Sequence, residues 1–108
     1  MKKGEIWIIE FPASNGHEQR GLRPAIIAAD TPTGIISAIP CTGNLQALRF
    51  PFTLRIEPSK VNGFDAPTVA LLLQLCAIDR NRCVKRIGTV EPETIRRINR
   101  LLRTFLGL

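Results

Sequence analysis

Gly16-His17-Glu18-Gln19-Arg20-Gly21-Leu22-Arg23-Pro24-Ala25-Ile26-Ile27-Ala28-Ala29 is the stretch on which the reading of the fold turns. Its first half is polar and carries two glycines, the composition of a loop. Its second half is a short apolar run, the composition of a strand. Pro24 has no N–H to give to a ladder, so it suits only a strand's start or an edge. The loop as a whole covers residues 12–22, long for a hairpin connection, and long loops in small domains tend to carry function.

Upstream of that loop, Ile6-Trp7-Ile8-Ile9-Glu10-Phe11 is β-branched and aromatic and lies between Gly4 and Pro12, so it predicts a first strand. Downstream, residues 25–29 form the second, and residues 35–39 a third that Pro40 should stop. Residues 41–51 make a second loop, with Arg49 near its end. Phe52-Thr53-Leu54-Arg55-Ile56 alternates as a half-buried strand does. Asn62-Gly63 is a strong turn signal. Residues 68–78 are nearly all apolar and predict one central strand buried on both faces, although period alone does not separate that from a buried helix. Residues 84–90 read as a last strand.

The period then changes. Ile95, Ile98, Leu101, Leu102, Phe105 and Leu106 share one helix face. Pro92 fits the first helical position after Glu91, and Gly107 ends the helix. About six short strands and one helix, without repeats or a linker, predict a mostly β single domain over residues 1–108: a compact barrel with a C-terminal helix.

Fifteen Lys and Arg against nine Asp and Glu give a formal charge of +6, which favours polyanionic partners such as nucleic acid. Residues 6–11 are too short for a signal-peptide core, and no apolar stretch is long enough to span a bilayer. The three cysteines, Cys41, Cys76 and Cys83, are odd in number and form no C-x-x-C pair. Cytoplasmic residence is the expectation. His17 is the only histidine and the nine carboxylates are dispersed, so neither a metal centre nor a cofactor site is expected. RNA cleavage needs neither, because the ribose 2′-hydroxyl is a built-in nucleophile. The protein must orient the strand, move two protons and neutralise phosphoryl charge.

The loop pattern G-x-E-Q-x-G-x-R-P, following a first strand that contains Trp7, resembles the MazF/PemK/Kid family of toxin endoribonucleases. Ile39-Pro40-Cys41-Thr42 is similar to that family's second loop entrance. Gly63-Phe64 through Ile78-Asp79, with Gln74, resembles its later turn and strand, and Arg86-Ile87-Gly88-Thr89-Val90 its end. The resemblance implies an SH3-like barrel of the CcdB/MazF type, a homodimer, and metal-independent cutting of single-stranded RNA that leaves 2′,3′-cyclic phosphate and 5′-hydroxyl ends. It also implies a cognate antitoxin whose acidic tail occupies the RNA groove. Carried over by position, Arg23 and Thr42 are the catalytic pair, and Glu18, Gln19 and Gln74 contact substrate. Arg23, Glu18 and His17 all stand as proton acceptors.

Plainer roles stand beside these. Thr42 suits a turn, Gln74 a satisfied buried amide, and Arg96, Arg97, Arg100 and Arg103 a solvated helix face or a seat for an acidic partner. Trp7, Phe11, Phe52 and Phe105 read as core. The same barrel also suggests a second function: a CcdB-like toxin that binds DNA gyrase without catalysis.

Overall fold

The computed structural model describes residues 1–13, 16 and 20–108. Seven strands and one long helix follow in the order β1 (Glu5–Phe11), β2 (Gly21–Asp30), β3 (Ile35–Thr42), β4 (Thr53–Ile56), β5 (Thr68–Leu71), β6 (Cys76–Asp79), β7 (Cys83–Thr89) and α1 (Pro92–Leu106). All pairings are antiparallel, along the path β4-β5-β3-β2-β1-β7, with β6 also on β3.

Two expectations need correction. Residues 68–78 are not one strand: β5 and β6 are separated by a 3-10 turn at Leu72–Gln74. Both halves pair with β3, β6 along Ile35 to Ala38 and β5 at Cys41 and Thr42. An apolar run does not report a change of ladder position, because both halves are drawn against the core. Pro40 does not stop β3 either. It faces Ala25 of β2 and sits between the reach of β6 and that of β5, where the ladder on that side is already interrupted.

Side chains alternate across the sheet, and both faces are covered. Ile6, Ile26, Ile39, Leu54, Phe64 and Leu72 build one apolar cluster, against which Ile95, Ile98, Leu101 and Leu102 of α1 pack. Ile9, Ala25, Ile27, Ile36, Ala38 and Ile78 build the other. Trp7 is only half-buried, and its indole Nε1 donates to the Glu5 carboxylate at 2.9 Å. That bond holds Glu5 below the usual carboxylate range. α1 begins at Pro92 and is capped by Gly107, as its sequence predicts, but Leu106 is exposed because the apolar stripe ends at Phe105.

The path is open, with β4 and β7 at its ends. What joins them is the loop after β4. The Thr89 N–H donates to the Val61 carbonyl at 2.9 Å. A Cβ at Gly63 would collide with the Ile87 carbonyl oxygen, and one at Gly88 with the Asn62 carbonyl. Asn62 is fully buried and satisfied on every side. Its Oδ1 accepts from the N–H groups of Ser59 and Phe64, each at 3.0 Å. Its Nδ2 donates to the Glu57 carbonyl at 2.8 Å and to the Glu91 carboxylate at 3.1 Å. Glu91 is also the cap residue of α1, so one amide ties β4's exit, the turn and the helix entrance together.

Gly88→Ala should therefore lose about 1–3 kcal/mol from forced backbone separation. Asn62→Ala should lose a similar ~1–3 kcal/mol by stranding buried partners. Urea unfolding midpoints check both, with Gly43→Ala, where a Cβ meets nothing within 4 Å, as the neutral control.

Candidate active site

Strand β3 ends at Thr42, and a group of polar side chains lies around that end. The β2–β3 register sets Ala25 opposite Pro40. β2 runs into that pair through Arg23 and Pro24 and β3 runs out of it through Cys41 and Thr42, so Arg23 and Thr42 both lie just past the same end of the ladder. Arg23 is paired with Ile9 of β1. The Arg23 Nε donates to the Arg20 carbonyl at 3.0 Å, which anchors the stem of the side chain. Its terminal nitrogens make no hydrogen bond among the described residues. The Thr42 Oγ1 accepts from the Asn44 N–H at 3.2 Å, so the turn role and an available O–H coexist in one side chain.

Thr42 opens onto a groove of about 390 Å³. Its polar lining is Thr42, Asn44, Gln46, Arg49 and Gln74, and the ring of Phe50 joins them. No carboxylate lines it among the described residues, so the field in the groove comes from amides, a hydroxyl and one guanidinium. That lining suits an anionic ligand with flat, hydrogen-bonding parts.

One backbone carbonyl sets the groove's shape. Phe52 has φ +56°, a conformation rarely adopted by bulky residues. In return its carbonyl accepts from Leu72 at 2.9 Å and Leu73 at 3.3 Å, the turn that ends at Gln74. The Phe52 ring packs at 5.0 Å, tilted by 52°, on Phe105 of α1. The helix therefore braces the groove without lining it, and Arg96, Arg97, Arg100 and Arg103 lie exposed elsewhere on α1.

Of the residues singled out in the sequence, Thr42 and Gln74 line the groove, and Arg23 does not line it but lies past the same end of the β2–β3 ladder as Thr42. Glu18 and Gln19, like His17, lie outside the described residues. Asn44, Gln46 and Phe50 went unread. Their signal was a polar loop that closes on an Arg-Phe step, legible only once the loop is seen to face β5 and the turn after it. Among the described residues no three of His, Cys, Asp and Glu group as metal ligands, and no helix is long and apolar enough to cross a membrane.

Residues 2–106 match the family model described as PemK-like, MazF-like toxin of type II toxin–antitoxin system. Endoribonuclease MazF of Staphylococcus saprophyticus is 29% identical, with all of this chain and 92% of that protein aligned. The crystal structure of MazF from Deinococcus radiodurans superposes with a TM-score of 0.82 at 24% identity, covering 100% of this chain and 97% of that one. The MazE–MazF crystal structure from the same organism gives 0.77 at 25% identity, covering 100% and 96%.

Cys41 lies next to Thr42, yet its thiol is wholly buried and burial pushes it up to about 12. It is a packing group and not a nucleophile. At pH 8 the native protein should alkylate at Cys76 and Cys83, both partly exposed, far faster than at Cys41. Unfolding in urea should equalise the three, as peptide mass spectrometry of the labelled protein would read.

Proposed function

This chain belongs to the PemK-like, MazF-like toxin family of type II toxin–antitoxin systems, and we propose that it cuts single-stranded RNA at specific sequences without a metal, with Arg23 and Thr42 as its catalytic pair. It is an endoribonuclease toxin of the MazF type, which overturns the alternative of a CcdB-like toxin acting by binding alone. The observation that supports the catalytic assignment is that Arg23 and Thr42 both lie just past the same end of the β2–β3 ladder, with Thr42 lining a groove free of carboxylates among the described residues.

In this mechanism a base takes the proton of the 2′-hydroxyl, the O2′–P bond forms and the P–O5′ bond breaks. The departing oxygen takes up a proton. The products are a 2′,3′-cyclic phosphate and a free 5′-hydroxyl. The planar fork of Arg23 holds the non-bridging phosphoryl oxygens as charge builds on them, and the Thr42 O–H adds one more donor. A guanidinium resists deprotonation, so Arg23 works through charge. Proton removal falls to Glu18 or His17 in the loop before β2. Glu18, Gln19 and Gln74 hold the substrate.

The active unit is a homodimer in the cytoplasm. Its regulator is a cognate antitoxin whose acidic tail competes with RNA for a groove that no carboxylate lines among the described residues, as the MazE–MazF assembly of the similar Deinococcus protein suggests.

Arg23→Ala should lower cleavage of mixed RNA by about 100-fold or more, the cost of one lost charge-stabilising donor. Its melting temperature should barely move, because the side chain is partly exposed. Excess EDTA should change nothing, and a single 2′-deoxy residue at the mapped cut should block it. Full-speed cutting by folded Arg23→Ala protein refutes the assignment.

A further inference from the structure

Phe50 is 46% exposed, unusual for a phenyl ring in a small domain. It lines the groove next to Arg49, whose guanidinium carbon lies 4.9 Å from the ring centroid. Its backbone is tied at both ends. The Phe50 N–H donates to the Ala47 carbonyl at 3.1 Å, and its own carbonyl accepts from the Thr53 hydroxyl at 3.0 Å. The 3-10 turn Leu45–Arg49 that delivers it is capped by the Asn44 side chain, which accepts from the Gln46 N–H at 3.1 Å. The ring is thus held open to solvent by a fixed frame, with its ordering cost met in advance.

We propose that Phe50 and Arg49 form a stacking step for one unpaired base of the bound RNA strand. The inference rests on the nuclease reading for its ligand, although not on the roles of Arg23 and Thr42. A base bared from its helix offers a flat π face, and aromatic rings and guanidinium planes are the protein surfaces that match it. The Gln46 amide makes no side-chain hydrogen bond among the described residues and lines the same groove, where it meets the polar edge of a stacked base. The net charge of +6 draws the strand in. The groove's volume of about 390 Å³ is on the scale that takes a small flat ligand.

The test uses the full chain and two cleavage-resistant probes of equal length: a fluorescent mixed-sequence 2′-O-methyl oligonucleotide, and the same backbone without bases. Anisotropy titrations give the advantage of bases over bare backbone. Phe50→Leu keeps apolar bulk and removes the π face, and it should cut that advantage by about 5- to 150-fold, the worth of one stacked base. Phe50→Trp should keep it, and backbone affinity should change in neither variant. An undiminished advantage in folded Phe50→Leu protein, or none in the wild type, overturns the stacking step. Cleavage of natural RNA is scored separately. A wild type that binds with this Phe50 dependence but never cuts overturns the nuclease reading and leaves the stacking step standing.

Discussion

Two glycines meeting backbone to backbone hold this protein's shape. The sheet has free ends at β4 and β7, and a two-layer β domain with open ends leaves ladder groups unpaired and a core open at the side. Here the Asn62-Gly63 turn lies so close against Ile87 and Gly88 that neither glycine tolerates a side chain. The turn takes the place of the strand pairing that would close a full barrel. Buried Asn62 makes this possible, because its amide answers polar groups from Glu57 to Glu91 that the tight contact would otherwise leave dry.

From that closure the rest follows outward. β3 is the hub, shared by β2, β5 and β6, and its end at Thr42 is fixed by pairing with Val69 of β5. Loops that leave a strand held this way can present side chains with little freedom, which electrostatic stabilisation of a reacting phosphate requires. The helix contributes from behind: Phe105 supports Phe52, and Phe52 in its left-handed conformation receives the turn that carries Gln74. Backbone held in so sparsely populated a region costs on the order of 1–3 kcal/mol, and such positions collect where a binding surface must keep its shape.

Much of this was legible in the residues. The β-branched run at β1, the alternation along β4, the Asn-Gly turn and the stripe from Ile95 to Phe105 are local signals, and each became the predicted element. The failures were non-local. Whether the apolar run from Thr68 is one strand or two depends on where β3's partners change, and whether Pro40 ends a strand depends on what lies across from it. Site residues divided the same way. Thr42 and Gln74 were found through resemblance to a family, not through spacing, since only the fold brings them into one groove. Phe50 was passed over because it falls inside the loop of residues 41–51, and nothing in the letters says that its ring faces a groove built with β5 and the turn after it.

The seam formed by Val61 to Gly63 on β7 has a kinetic side as well. It joins Val61 to Thr89, a non-local contact whose closure has a loop-entropy cost and must wait until β7 exists. A newly made chain therefore cannot close its sheet in this way until its last strand is in place.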